Sequence, residues 1–393
     1  MFAVSPLLTH PIKRSGQPGQ DTKGSATLRH LYLHIPFCHK ICPYCSFHKH
    51  GLGGYDLDAF VTAMVRELEW ASRHWNLQPH SIYFGGGTPT ALTTSHLENL
   101  LLALHRHCDL SQLLEWSCEI NPRTITAEKA RCLSQHGVTR ASLGVQAWDD
   151  STLRTLGRDH SPAEALASFE LLRQNGFAVL SLDLMFSVPG QSSEDWQYSL
   201  EQSLALRPDH LSAYNLNYEE DTEFFEQLRQ GQCQLEPQRD ADYFQLASSR
   251  LSNAGYEHYE ISNYALPGKR SLHNQAYWRG SDYLGFGPGA FSTVGQWRWK
   301  NPSDTKLYSD AKTSPQSLAG DFEPIGPQQR RTEAFAMRLR TTDGLEANLI
   351  HPDQKPLLHS LEEDGLLRIE DGHIRLTLQG RPLVDSIALG LLG

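Results

Sequence analysis

No stretch of this 393-residue chain is apolar for the roughly eighteen residues that a bilayer-crossing helix needs; its longest apolar runs, such as Leu180 to Val188, are broken by polar residues well before that length. Basic charge is scarce as well. Lys and Arg number 35 against 45 Asp and Glu, a formal net charge of -10, so nucleic-acid phosphates would meet a repelling mean field and no general nucleic-acid binder is expected. Seven cysteines are too few and too unevenly placed for a secreted disulfide scaffold; three fall between residues 38 and 45, which is metal-ligand spacing and fits a reducing, cytoplasmic compartment. Met1 to Arg29 carries four basic residues and one acid but lacks the apolar core of a secretory signal. Residues 1–27 are expected to form a flexible tail, with an organellar transit peptide as the alternative reading. What remains, 39% hydrophobic and 20% charged with a mean hydropathy of -0.45, is the composition of a globular protein with a sizeable core.

From residue 31 a short apolar run, a loop and a stretch of helical periodicity alternate, which predicts parallel strands joined by helical crossovers. Strands are expected at Leu31 to Ile35, Ser81 to Phe84, Leu114 to Ile120, Arg140 to Val145, Val179 to Phe186 and His210 to Leu216. Leu57, Phe60, Val61, Met64, Val65 and Leu68 build one apolar helix face. Ser161, Pro162 and Glu164 read as N-cap, first position and reciprocal cap of a helix ending near Gly176. The expected fold is α/β, a partial (β/α)6 barrel over 28–230 with function at the C-terminal ends of its strands. An extension over 231–310 and an α+β domain over 311–393 follow. An Asp371-Gly372 turn there predicts a hairpin and a winged-helix-like segment, in which acids outnumber bases between Asp321 and Asp385, favouring packing or docking over DNA.

Cys38, Cys42 and Cys45 stand at C-x3-C-x2-C spacing on one loop after the first strand. Thiolates are the usual ligands of iron-sulfur clusters, and three would leave one iron of a cubane open for chemistry. Structural zinc is the alternative, because His48 could complete a Cys3His set, and a reversible disulfide is less favoured. Gly85-Gly86-Gly87-Thr88-Pro89 follows the second strand, where glycines admit close backbone approach and amides could meet a carboxylate or phosphate. Alone, such a triplet is more often a tight turn.

Together the two motifs resemble the radical S-adenosylmethionine superfamily. Tyr32 to Phe47, Glu119 to Pro122, Arg140 to Gln146, Leu156 to Arg158, Asp183 to Gln191, His210 to Tyr214 and Tyr259 to Gly289 resemble its branch of oxygen-independent coproporphyrinogen oxidases and HemW heme chaperones. The resemblance implies a [4Fe-4S] cluster on the three cysteines, and S-adenosylmethionine held by Tyr32, Gly86, Gly87, Thr88, Glu119, Gln146, Arg158 and Asp183. Read without it, Glu119 could be a capping or salt-bridging acid and Arg158 a solvated cation, whereas Asp183 inside an apolar run needs a partner.

Phe47 stands where the oxidases carry a fourth cysteine, and only a short tail precedes the first strand; both are similar to the chaperones. His273-Asn274-Gln275-Ala276-Tyr277-Trp278 resembles the HNxxYW motif of that branch, which implies heme as cargo with His273 as its ligand; a histidine bonded locally in an aromatic cluster is the plainer reading. Ser187 and Phe291 depart from a glycine and a histidine usual in the family. The implied partners are heme, heme-acceptor proteins, any membrane contact coming through those acceptors, and an electron donor. The alternatives are a radical enzyme acting on a porphyrinogen and a zinc-stabilised interaction protein. Sequence names no catalytic residue, acceptor or oligomeric state.

Overall fold

The computed structural model describes residues 26–310 and 322–392. The expected tail lies outside them up to residue 25. Six strands, β1 (Thr27–Ile35), β2 (Asn76–Gly86), β3 (Glu115–Ile120), β4 (Arg140–Gln146), β5 (Val179–Phe186) and β6 (His210–Asn215), lie side by side in chain order, each parallel to the next. Helices α1 (Leu57–His74), α2 (Thr94–His107), α3 (Ala127–Gln135), α4 (Pro162–Gln174) and α5 (Ser193–Ala205) lie in the crossovers. In α1, Phe60, Val61, Met64 and Leu68 form the buried face expected of them, and in α4 both hydrogen bonds of the Ser161/Glu164 capping box are present.

The next segment extends the same sheet. After α6 (Pro237–Asn253), β7 (Glu257–His258) pairs with β8 (Asn263–Ala265), β8 runs antiparallel to β6, and beyond α7 (Leu272–Trp278) β9 (Leu284–Phe286) runs parallel to β1. With β9 at one edge and β7 at the other, the barrel is open. Its strands alternate through their central positions. Leu31, Leu33, Ile82, Phe84, Trp116, Cys118, Leu143, Leu180, Leu182 and Leu211 belong to the apolar core. The intervening positions, Tyr32, His34, Tyr83, Glu119, Ser142, Asp183, Ser212 and Tyr214, are polar. Closed barrels fill this inner side with branched apolar residues; here the lumen is lined for a polar ligand.

Strands β10 (Phe291–Val294), β11 (Trp297–Lys300) and β12 (Phe322–Pro324) form a small antiparallel sheet. The C-terminal unit has its own core of Phe335, Leu339, Leu345, Leu358, Leu367, Ile374 and Leu391. Helices α8 (Pro327–Leu339), α9 (Lys355–Glu363) and α10 (Val384–Leu392) pack there with β13 (Leu345–Glu346), β14 (Leu367–Glu370) and β15 (His373–Leu376), in the order β13-β15-β14. The expected hairpin is in place, its two-residue turn carrying φ 52° at Asp371 and 73° at Gly372. No helix among the described residues is long and apolar enough to cross a membrane.

Ser187, just past β5, has φ 62°, which explains why glycine suits this place: a side chain there crowds the neighbouring carbonyl. Its hydroxyl is buried without a partner. Ser187→Gly should therefore raise stability by about 0.5–1 kcal/mol in urea unfolding, and an equal loss would show that the serine is not strained.

Candidate functional site

The three thiols sit where β1 hands over to the loop at the barrel mouth. Phe37–Cys38 pairs in parallel with His50–Gly51, which closes the loop on itself. Thr88 Oγ1 approaches Cys38 Sγ at 3.8 Å and Arg158 Nη1 approaches Cys42 Sγ at 3.6 Å, while Lys49 donates to the Cys45 carbonyl. All seven cysteines are free thiols. Burial pushes the Cys38 thiol up to about 11 and raises that of Cys45. A metal would have to displace those protons, as thiolate ligation requires. The guanidinium and ammonium beside the loop suit the negative charge of three thiolates and a cluster.

The His48 ring stands 5.7 Å from that of His34 and 4.8 Å from that of His50, packed against Gly289. Among the described residues, no three His, Cys, Asp or Glu converge on a single-ion site. The Cys3His zinc reading is therefore not assembled, whereas a cubane, which spreads its ligands over separate irons, suits three thiols spaced along a loop.

The glycine segment is explained by the protein's own packing. A Cβ on Gly86, at φ 112°, would lie 2.7 Å from the His34 ring, and one on Gly87 would lie 2.8 Å from the Phe37 carbonyl oxygen. The amides are already engaged: Gly86 donates to Glu119 Oε2 (3.2 Å), Gly87 to the Ile35 carbonyl (2.9 Å) and Thr88 to the Phe37 carbonyl (2.8 Å). The expectation that these N–H groups would meet an anion is thus not met in this conformation. The Gly87 carbonyl accepts no hydrogen bond among the described residues, so the segment offers an acceptor, suited to an ammonium group.

Inside the lumen, Glu119 accepts from Tyr83 Oη (2.9 Å) as well as from Gly86, and Asp183 accepts from Ser142 Oγ at 2.9 and 3.0 Å. Burial raises both carboxyls, that of Glu119 to about 8, with the charge of Asp183 adding to it. His34 donates from Nε2 to the His48 carbonyl (2.9 Å), which leaves Nδ1 to accept from Tyr32 Oη (3.0 Å). Gln146 ends β4 at a bulge with φ 69°, its amide turned back towards Gly144. Arg158 bonds the Gly144 carbonyl (2.9 Å), and its buried Nε is unpartnered. Tyr32, Tyr83, Glu119, Gln146, Arg158 and Asp183 lie deep in the chain yet keep accessible surface, as residues lining a cavity do. All eight residues expected to hold S-adenosylmethionine thus fall at or near the C-terminal ends of β1 to β5 and in the loops that follow.

His273 lies elsewhere. It opens α7 beside the start of β3, and Glu115 there accepts from Ser271 Oγ (3.3 Å), Leu272 N (3.0 Å) and His273 N (3.0 Å). Its ring faces Tyr83, with centroids 5.1 Å apart, at the end of the lumen away from the thiols. Tyr83, Ser142, Ser212, Tyr214 and His34 were not anticipated as lining residues. Their signal was the period of two in His30-Leu31-Tyr32-Leu33-His34 and Ser81-Ile82-Tyr83-Phe84-Gly85.

Known proteins match the chain over most of its length. Residues 32–202 match the Radical SAM superfamily and residues 325–383 the HemN C-terminal domain. The chain is 32% identical to the heme chaperone HemW of Bacillus subtilis over 377 residues, covering 93% of this chain and 100% of that protein. It is 34% identical to that of Mycobacterium tuberculosis H37Rv over 369 residues, covering 92% and 94%. The solved coproporphyrinogen III oxidase HemN of Escherichia coli shares the fold at a TM-score of 0.80 and 24% identity, covering 93% of this chain and 90% of that one.

Proposed function

Because the chain belongs to the HemW heme-chaperone family of the radical SAM superfamily, we propose that it binds a [4Fe-4S] cluster, S-adenosylmethionine and heme, and passes the heme to acceptor proteins. One observation carries the proposal: a loop of three free thiols opens onto a lumen lined by polar side chains. Cys38, Cys42 and Cys45 would hold three irons, and the cluster would supply one-electron chemistry at the mouth when bound. Tyr32, Gly86, Gly87, Thr88, Glu119, Gln146, Arg158 and Asp183 would hold S-adenosylmethionine. Within that set, the Gly87 carbonyl suits its ammonium, while Glu119 and Asp183 offer acceptors for hydroxyls and for positive charge. His273 would ligate heme.

The porphyrinogen-oxidising alternative lacks a specific observation in its favour, and Phe47 stands, 36% exposed, in place of a fourth thiol. Anaerobically reconstituted protein should bind heme and transfer it to an apo-hemoprotein, and should form no protoporphyrinogen from coproporphyrinogen III with S-adenosylmethionine and reductant. Repeated turnover to that product would overturn the proposal.

The raised carboxyl of Glu119 gives a pH test. A cationic ligand favours the ionised form, so affinity for S-adenosylmethionine should rise with pH and level off above about 8. The same shift lowers the stability of the ligand-free protein as pH rises from 4.5 towards about 8, because the folded state holds the proton more tightly. Calorimetric titration of Glu119→Gln should give weaker binding and a flattened profile. An unchanged profile would remove Glu119 from the site.

A further inference from the structure

His273 does not stand alone. Its Nδ1 lies 2.9 Å from Ser81 Oγ, and the same hydroxyl lies 2.8 Å from Nδ1 of His30. Ser81 is on β2 and fully buried, so no water competes for this bond. A single hydroxyl proton sits between two Nδ1 atoms, which permits two arrangements. In one, His273 Nδ1–H donates to Ser81, the hydroxyl donates to His30 Nδ1, and His273 Nε2 keeps its lone pair. In the other the bonds reverse and His273 carries a proton on Nε2.

The rest of the environment holds the ring in one place. Glu115 receives the amides of Leu272 and His273, Arg140 donates to the carbonyls of Lys269 (2.8 Å) and Arg270 (3.1 Å), and Tyr259 Oη accepts from Ser271 N (3.2 Å). Nε2 makes no hydrogen bond among the described residues, and the ring retains accessible surface next to Tyr32 and Tyr83. A metal-ligating histidine commonly gives its other ring N–H to a neighbouring acceptor, which sets the tautomer and strengthens the donor nitrogen.

We propose that Ser81 and His30 form a hydrogen-bond relay that positions His273 as an iron ligand through Nε2, with iron binding selecting the arrangement in which Ser81 accepts from His273. This rests on the reading of His273 as the heme ligand. Ser81 and His30 are positioning residues and touch no iron themselves.

Hemin titration of the reconstituted full-length protein, followed by the Soret band and by the midpoint potential of the bound heme, tests the relay. Ser81→Ala should weaken heme binding by about 10- to 100-fold and move the potential to more positive values, because the imidazole donates less charge to ferric iron. Cluster content should stay at the wild-type level, and Ser81→Thr, which restores the hydroxyl, should recover affinity. If His273→Ala abolishes the Soret change while Ser81→Ala leaves affinity and potential unaltered, the relay is wrong and the ligand assignment stands. If His273→Ala leaves the band as it was, the ligand assignment itself fails and the relay with it. Should Ser81→Ala not fold, His30→Phe, which removes the terminal acceptor, must shift the potential in the same direction, and no shift overturns the proposal.

Discussion

Cys42→Ala should lose most of its iron and acid-labile sulfide after anaerobic reconstitution, with the visible absorbance of the cluster, while Cys108→Ser and Cys233→Ser keep theirs. Cys38, Cys42 and Cys45 share one loop closed by the pairing of Phe37–Cys38 with His50–Gly51, whereas Cys108 follows α2 and Cys233 precedes α6. A cubane held by three protein thiolates has no spare ligand, so removing one leaves two irons open to water and to loss. Arg158, directed at Cys42 Sγ from 3.6 Å, adds a further distinction. Arg158→Leu keeps every thiol and should keep the iron, yet its reduced cluster should become harder to form, because a positive charge no longer offsets the added electron. Wild-type iron content in Cys42→Ala would reject the ligand set. Cys38→Ala and Cys45→Ala should behave alike, since no fourth thiol is placed to substitute.

Much of this site was legible in the sequence because its parts are local. Three thiols within eight residues need no tertiary knowledge, and the parallel sheet follows once the strands are found. The side-chain capping of α4 and the Asp371-Gly372 turn are local for the same reason. What sequence could not supply is what depends on packing. The glycine segment looked like a set of free amide donors, but Glu119 and the carbonyls of Ile35 and Phe37 occupy them, and those acceptors come from elsewhere in the chain. The Cys3His alternative failed similarly, since the three-residue spacing from Cys45 to His48 is permissive while the folded loop brings no three His, Cys, Asp or Glu together on a single ion among the described residues. His273 was recognised as a motif, but its place at the end of the lumen opposite the thiols depends on Glu115 and Arg140, which lie more than a hundred residues away in sequence. Neither of that pair stood out as functional, because an acid and an arginine on strands have no local signature.

Arg140→Ala should cost about 3–5 kcal/mol at neutral pH in urea unfolding of the reconstituted protein, the effect expected of a buried ion pair robbed of one partner. Arg140 and Glu115 are only 5% and 8% exposed, with Nε and Oε2 2.9 Å apart. Burial alone would push the Glu115 carboxyl up, yet Arg140 and the amides of His273 and Leu272 outweigh it and hold it below the usual range. The sign of the pH dependence follows. The contribution of a depressed carboxyl is fully present above the unfolded value of 4.5 and is lost as pH falls through its lower folded value. Without Arg140 the carboxyl rises instead, so the difference between variant and wild type should shrink as the medium is acidified. A difference independent of pH would mean that Glu115 is not the partner that matters. Replacing both residues by apolar ones of similar size, Glu115→Leu with Arg140→Met, should recover only part of the loss. The carboxylate also receives the first amides of α7, and those donors would be left buried and unpaired at about 1–3 kcal/mol each. The double variant therefore separates the two tasks of this pair. If stability returns in full, the ion pair serves the sheet alone; if part of the deficit persists and the His273-dependent Soret change disappears, the pair is what holds the start of α7, and the histidine on it, at the end of the lumen.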